Sequence, residues 1–408
     1  MNHADRNRMA TEQLLKGRPT FRLFGLVVSL AGFMCTFGTM TATAEVFTVD
    51  STADTPDTCL GDGVCDDASY QCSLRAAIEE SNAYPGADTI VVPVGTYAVD
   101  HNLEITDSVT VYGESTPLTI VDGSGTASNE IITIGPDDEV VTVGIIGLTV
   151  RGATQGCGIR VGLEADVELL EVAVRDNSAY SVGGGIVSRG TMQMRRCTVS
   201  GNHSFLGGGG VAVRFGRTDM INCTVSGNSA NIFGGGISLD GGAELHLDGV
   251  VVTDNTADAD LSGTGEGGGV WGASSTTVYL HDSIVAQNTD HTGVAPDLFV
   301  DVVSEDYNLL GDTTGAVMSG PIAHCIIGEP ALLGPLADNG GPTLTHALLE
   351  GSPAIDAGDP GSSRLRDQRW IERPQGPEGD IGPFELAYVI FFDGFESGGT
   401  WEWSEVVP

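Results

Sequence analysis

Two cysteines occupy the same position in a six-residue string, CTVSGN, that occurs at 197–202 and again at 223–228. Paired thiols at a repeated position could bind a metal, form a disulfide or act as a redox pair. When the repeats are aligned, Cys197 and Cys223 share a column with residues that are mostly apolar or small: Leu148, Val172, Val250 and Ser283. We therefore expect both to be buried free thiols that fill the core. A strained disulfide between them is the alternative.

An aspartate and a histidine also occupy one position in successive repeats. The alternation of apolar and polar residues directs Asp219 and His246 outward, in a column with Glu168, Gln193 and Tyr279. Neighbouring carboxylate and imidazole groups can act together as an acid and a base. Asp219 and His246 are therefore the candidate catalytic residues, and an ordinary polar exterior is the alternative that we favour.

Acidic side chains are crowded in an insertion around 258–266. Carboxylate oxygens are the ligands that calcium prefers, so Asp258, Asp260 and Glu266 are the candidate calcium ligands. The favoured alternative is a solvated acidic loop. The sequence indicates no other cofactor.

The first 44 residues have the features of an export signal. Basic residues lie near the start, Leu23–Met40 is an apolar run, and Ala42-Thr43-Ala44 gives a small-x-small cleavage pattern before Glu45. An uncleaved membrane anchor is the alternative. No later stretch is apolar enough to span a membrane. We expect the mature protein to be secreted, or held on the outer cell surface.

Three cysteines near the predicted mature N-terminus, Cys59, Cys65 and Cys72, lie close together in the sequence. Export would place them in an oxidising compartment, where local disulfides form. We predict a disulfide between Cys65 and Cys72 and leave Cys59 unassigned. Cys157 and Cys325 have no obvious partner in the sequence.

The charge composition excludes one class of partner. The chain has 18 basic and 55 acidic residues, which gives a net charge of −37. Such a surface repels a phosphate backbone, so nucleic acid is not an expected partner. The single lysine, Lys16, lies in the predicted signal, which excludes Schiff-base chemistry from the mature protein.

A repeat positions the candidate side chains described above. Five segments share the pattern apolar, x, apolar, x, x, small or apolar, x, apolar, x, x, Asn, and they end at Asn177, Asn202, Asn228, Asn255 and Asn288. Period-two alternation predicts short strands with one buried face, and the two-residue interruption predicts a bend. Stacked coils of such strands predict an all-β solenoid, the parallel β-helix.

Stacking of the coils would bring the terminal residues of the pattern together. The five asparagines are predicted to form a ladder, in which each amide bonds to the same residue one coil above and below. The glycine runs that follow are predicted to serve corners that need positive φ and close backbone approach. Phosphate binding is the weaker alternative, because these glycines lead into strands and not into helices.

Three stretches resemble known families of exported bacterial β-helix proteins. CSLRAAIEESN at 72–82 resembles the CSLREA signature, with Ala76 in place of the Glu, and the TVSGN…GGGI units resemble polymorphic-outer-membrane-protein repeats. The stretch at 334–359, with DQRWIERP at 367–374 and GDIGPFE at 379–385, resembles a choice-of-anchor region, although Trp370 and Gly379 replace its usual Gly and Cys. The resemblance implies an exported right-handed parallel β-helix of the pectin-lyase-like type, for which no common activity is established.

These observations divide the chain into five parts. They are a signal peptide (1–44), an N-terminal cap with the CSLREA-like motif (45–85), the β-helix (86–330), a choice-of-anchor-like region (331–386) and a tail (387–408). A short helix over 75–81 is predicted to cover the first coil, since an open end would expose unpaired strand edges.

The leading interpretation of function is a binding or structural protein of adhesin-like type. Its expected partner is an extracellular glycan or another surface component. The alternative is a polysaccharide-active lyase or glycoside hydrolase that uses an outward strand face.

Overall fold

The computed structural model describes residues 43–125, 130–136 and 140–387. In these residues the chain winds through successive coils, and most coils contribute one strand to each of three long parallel sheets. The predicted signal peptide, apart from its last two residues, and the tail from 388 onward lie outside the described residues. Within the described part, no helix is long and apolar enough to cross a membrane.

The first sheet runs along the whole helix and has 11 parallel strands among the described residues. In chain order they are Val46–Thr48, Asp88–Val92, Val109–Gly113, Thr142–Ile146, Asp166–Leu170, Thr191–Arg195, Arg217–Ile221, Glu244–Asp248, Thr277–His281, Asp301–Ser304 and Val317–Ser319. This sheet carries the outward column that contains Asp219 and His246.

The other sheets have shorter strands. The second sheet contains Leu103–Ile105, Ile132–Ile134, Ile159–Val161, Ile186–Ser188, Val211–Val213, Ile237–Leu239, Val270–Gly272 and Leu298–Phe299. The third sheet contains Gly95–Ala98, Thr119–Asp122, Thr149–Arg151, Ala173–Arg175, Thr198–Ser200, Thr224–Ser226, Val251–Thr253, Ile284–Val285, Leu309–Leu310 and Ile326–Ile327. A fourth sheet contains Ser178–Ala179, His203–Ser204, Ser229–Ala230, Thr256–Ala257 and Thr289–Asp290.

Apolar side chains of neighbouring coils stack in columns inside the helix. In the first sheet Val167 pairs with Met192 and Leu169 pairs with Met194, and all four side chains are buried. One coil has too little apolar surface to form a core alone, so each coil buries its apolar face against its neighbours. The parallel register and the buried columns confirm the predicted parallel β-helix.

The two-residue interruption of the repeat forms the corner between the first and third sheets. Its second residue has a left-handed backbone in five successive coils: Glu171 (φ 56°), Arg196 (53°), Asn222 (51°), Gly249 (64°) and Asp282 (50°). We call these five residues the left-handed corner. The residue that follows each of them is buried, so the corner turns the chain while the core continues.

The five asparagines form a continuous ladder of amide hydrogen bonds at the corner that follows the third sheet. Each Nδ2 donates to the Oδ1 of the asparagine one coil further on, at 2.9–3.0 Å. The backbone N–H of each donor residue bonds to the same Oδ1 atom. The ladder ends on Asp297, whose Oδ1 accepts from Asn288 Nδ2 at 2.8 Å. Buried polar groups are thereby satisfied along the helix.

The ladder and a turn beside it explain two of the glycines. A Cβ at position 210 would lie 3.0 Å from Nδ2 of Asn228 and 2.8 Å from the carbonyl oxygen of Gly236, too close for any side chain. Gly208, two residues earlier, has a φ of 64° and turns the chain toward the second sheet.

The N-terminal segment covers the first coil. A helix, Leu74–Ala83, begins after Ser73, whose side chain accepts from the backbone N–H of Ala76 at 3.0 Å. The predicted range, 75–81, is shorter than this helix at both ends. The buried face of the helix packs against the strands Asp88–Val92 and Leu103–Ile105. Cys65 and Cys72 form a disulfide, with their Cα atoms 5.1 Å apart.

The C-terminal region, which we call the strap (331–387), lies along the flank of the helix. It begins with an antiparallel hairpin, Leu333–Ala337 and Thr345–Leu348. Beyond the hairpin it forms a small second core, in which Ile381 and Phe384 pack with Ile284 of the third sheet. This region follows the left-handed corner, from Trp370 on Glu171 to Arg364 on Asp282.

Candidate functional site

A cleft of about 300 Å³ lies on the outer face of the first sheet, and we call it the first-sheet cleft. Three parallel strands in register place Asp219, His246 and Tyr279 side by side in adjacent coils. Arg217, His281 and Glu305 also line the cleft. The two candidate catalytic residues therefore lie in the same cleft, as neighbours.

The Asp219 carboxylate is held by Arg217, two residues earlier on the same strand face. Nε of Arg217 lies 2.9 Å and 3.0 Å from the two carboxylate oxygens, and Nη2 lies 2.7 Å from Oδ1. The hydrogen bond that Arg217 donates to Asp219 raises the pKa of the Arg217 guanidinium. Such an exposed ion pair contributes little to stability. It fixes the direction of both groups in the cleft.

His246 is held by an aromatic neighbour and not by Asp219. Its ring is parallel to that of Tyr279, with the centroids 4.2 Å apart and the planes inclined by 7°. Its Nε2 atom is buried without a hydrogen bond among the described residues. Burial lowers the pKa of His246, and the positive charge of Arg217 lowers it further. The imidazole is therefore neutral near pH 7.

One edge of the cleft is joined to the strap through His281. Nδ1 of His281 lies 3.0 Å from Oδ1 of Asp248, and Nε2 lies 3.2 Å from Oδ2 of Asp359 in the strap. The hydrogen bond to Asp248 is the main cause that raises the pKa of His281. Arg364, also in the strap, is nearly buried and pairs with both Asp248 and Asp282. The strap thus supports the edge of the cleft through charged hydrogen bonds.

The repeated cysteines are free and buried within the helix. The backbone N–H of Val172 bonds to Sγ of Cys197 at 3.5 Å, and the N–H of Cys197 bonds to Sγ of Cys223 at 3.4 Å. Further along the same column, Oγ of Ser283 accepts from the N–H of Val250 at 3.1 Å. Burial raises the pKa of Cys197. These thiols satisfy backbone donors behind the left-handed corner, and burial keeps both away from reagents in solution.

The candidate calcium ligands do not form a shared site. Asp258 is buried and accepts hydrogen bonds from Ser262 Oγ at 3.2 Å and from the N–H of Gly263 at 3.0 Å. Asp260 accepts from the N–H of Ser262 at 3.1 Å. In the described ranges, no group of three or more His, Cys, Asp or Glu side chains is arranged to hold a metal ion. Asp258 and Asp260 instead order the inserted loop.

Sequence reasoning did not identify Arg217, His281 or the strap residues as parts of the site. Arg217 could have been found, because it lies two residues before Asp219 and alternation puts both on the outer face. Asp359 is far from His281 in the sequence, and no repeat relates the two residues. Only the fold brings them together.

Comparisons with known proteins gave one family match and one similar solved structure. Residues 130–296 match the family model for a right handed beta helix region. A solved structure described as the crystal structure of pectate lyase Pel9A is similar, with a TM-score of 0.48 and 14% sequence identity over 84% of this chain and 96% of that chain. A search of curated proteins gave no match. The sheets and the match over residues 130–296 give this chain the fold of a right-handed parallel β-helix.

Proposed function

We propose that this protein is an exported glycan-binding protein and that the first-sheet cleft binds a hydroxyl-rich saccharide without cleaving it. The observation that carries the proposal is the fixed Arg217–Asp219 pair beside the parallel rings of His246 and Tyr279. Together they form a rigid row of hydrogen-bonding groups on the outer face.

The chemistry of this row suits sugar hydroxyl groups. Each hydroxyl can donate one hydrogen bond and accept two. The carboxylates of Asp219 and Glu305 supply acceptors, and the guanidinium of Arg217 supplies donors. These side chains lie on strands and are fixed by the Arg217–Asp219 ion pair and the His246–Tyr279 stack. Little conformational entropy is therefore lost when a ligand binds.

The same contacts favour binding over catalysis. A general base must reach the proton that it removes and have a pKa suited to the task. Asp219 is already engaged by a guanidinium, and His246 Nε2 is buried. Within the described residues, no hydrogen bond links Asp219 to His246. The adjacency of the two residues still makes a polysaccharide-active enzyme the alternative outcome of the test.

Export is part of the proposal, and two features support it. The first 44 residues have the features of a signal peptide. The Cys65–Cys72 disulfide belongs to an oxidising compartment. The partner that fits an exported protein with such a cleft is an extracellular glycan at a cell surface or in its surroundings.

The test is a glycan-array screen of the mature protein, followed by a reducing-sugar release assay on each glycan that binds. Binding without release of reducing ends is the expected result. Asp219→Asn should weaken that binding at least tenfold, because it removes the charge that orients Arg217. Glu164→Gln, an exposed change away from the cleft, is the matched control and should bind as the wild type does.

Two results would overturn the proposal. Release of reducing ends that Asp219→Asn abolishes would make the protein an enzyme. Equal binding by the wild type and by Asp219→Asn would place the binding site elsewhere.

A further inference from the structure

A second groove, separate from the first-sheet cleft, lies beside the second sheet and has a volume of about 420 Å³. Arg160, Arg189 and Arg214 line it, together with the aromatic side chains of Tyr180 and Phe215. We call it the arginine groove. Three arginines in one groove are unusual in a chain with 18 basic and 55 acidic residues.

Two of these arginines are stacked one coil apart. Ser188 pairs with Val213 and Val213 pairs with Leu239, so the next residues, Arg189, Arg214 and Asp240, follow one another in a column. Nε of Arg214 lies 3.1 Å from Oδ2 of Asp240. Adjacent coils are about 4.8 Å apart, and like charges at that separation repel each other.

Arg189 is the member of the column whose charge is not compensated. Arg214 is paired with Asp240, and Arg160 lies 3.2 Å from Glu130. In the part of the chain that the structure describes, the Arg189 guanidinium, although half buried, has neither an ion-pair partner nor a hydrogen bond. An anion placed here would relieve the repulsion between Arg189 and Arg214. A guanidinium fork binds a carboxylate through two parallel hydrogen bonds.

The walls of the groove indicate which anion fits. Tyr180 is 68% exposed and Phe215 is 39% exposed, so both present apolar faces next to the arginines. Large exposed aromatic side chains beside a charged groove are typical of a ligand site. The apolar face of a sugar ring can pack on such a side chain while the carboxylate of the sugar meets the guanidinium.

An acidic saccharide has the two features that these walls can contact, a carboxylate for the guanidinium and a ring with an apolar face for the aromatic side chains. We propose that the arginine groove binds a short acidic saccharide, with one carboxylate on Arg189 and the ring against Tyr180 or Phe215.

The experiment is calorimetric titration of the mature protein with a tetrasaccharide of uronic acids. The probes for comparison are its carboxyl-reduced neutral counterpart and inorganic sulfate at the same ionic strength. A short probe is chosen because a long polyanion would meet the repulsion of a net charge of −37. The uronate is expected to bind, and the two comparison probes to bind at least tenfold more weakly.

Variants test the role of Arg189. Arg189→Gln should weaken uronate binding at least tenfold, and Arg189→Lys should have a smaller effect because it keeps the charge but loses the fork. Arg175→Gln is the matched control, since Arg175 lies on the third sheet and pairs with its neighbour Asp176. Thermal melting of each variant verifies that it folds.

Several outcomes would overturn the inference. They are no binding of the uronate, equal binding of the carboxyl-reduced sugar, equal binding of sulfate, or unchanged affinity in Arg189→Gln. Binding of an acidic peptide with higher affinity than the uronate would also overturn it. Because Asp219→Asn acts on the first-sheet cleft alone, loss of one site is distinguishable from loss of the other.

Discussion

Nε2 of His281 lies 3.2 Å from Oδ2 of Asp359, and this contact joins the edge of the first-sheet cleft to the strap. Asp248 faces the other nitrogen of the ring, and Arg364 approaches from the strap. Protonated His281 can donate one hydrogen bond to each carboxylate, whereas the neutral ring can donate only one. The strength of this junction therefore depends on pH.

The first prediction concerns that pH dependence. The pKa of His281 is raised in the folded protein from its ordinary value of 6.5, chiefly by the hydrogen bond to Asp248. The stabilisation is therefore complete below about pH 6.5 and is lost as the pH rises through the folded pKa. His281→Gln should lower stability by roughly 1 kcal/mol at pH 5.5 and by less at pH 8.5.

The measurement is thermal melting of the wild type and His281→Gln across that pH range. His101→Gln, at an exposed histidine, is the matched control and should show no such trend. A difference between the wild type and His281→Gln that stays constant with pH would contradict the assigned role of His281.

A second prediction concerns the position where the strap crosses the left-handed corner at Gly249. A Cβ at this position would overlap the guanidinium of Arg364, and the backbone φ is 64°. Gly249→Ala should therefore displace a buried ion pair as well as strain the backbone. We expect Gly249→Ala to cost about 1–3 kcal/mol more than Gly242→Ala.

Gly242→Ala is the matched control because its φ is 80° and the nearest atom to a Cβ would be 3.9 Å away. Chemical denaturation of both variants gives the comparison. Equal losses of stability would mean that backbone strain accounts for the whole effect and that Arg364 is free to move aside.

A third prediction tests the asparagine ladder. Asn228→Ala removes the Oδ1 atom that accepts from the backbone N–H and from Nδ2 of Asn202, both at 3.0 Å. These donors are buried, so the loss should be about 2–4 kcal/mol. Asn102→Ala, at a less buried position outside the ladder, should cost less, because the Oδ1 atom of Asn102 accepts from a side chain, Thr133 Oγ1 at 3.2 Å, and not from a buried backbone N–H. Equal values from denaturant titrations of the two variants would show that the ladder adds nothing.

A fourth prediction concerns the buried thiols. Cys197 and Cys223 should resist alkylation in the native protein and react fully in denaturant without a reductant, because both are free. Mass spectrometry of the alkylated peptides makes the measurement. Failure of both cysteines to react in denaturant until a reductant is added would contradict the free state.

The repeat made much of the fold predictable, because its residue types carry direct physical signals. Alternation identified the strands, and a recurring asparagine before glycines identified the ladder. The strap was harder to predict. Its contacts with the corner, such as the indole N–H of Trp370 on Glu171 at 3.1 Å, join residues far apart in the sequence that no period relates.

The candidate site was predictable only in part. Alternation placed Asp219 and His246 as neighbours on the outer face, and the register of the strands agrees. Sequence could not show that Arg217 engages Asp219 or that Tyr279 stacks on His246, because side-chain rotamers decide both contacts. The CSLREA, repeat-family and choice-of-anchor assignments stay predictions.

The strap changes how the helix should respond to tension. In a simple solenoid each coil interacts only with its neighbours, so coils can peel away one at a time from an end. Here the strap is tied to the corner of successive coils, from Trp370 on Glu171 to Arg364 on Asp282. A coil in this span cannot detach without also releasing the strap. A force applied through the C-terminus should therefore produce one large extension step in this region, and not a series of small steps that each release a single coil.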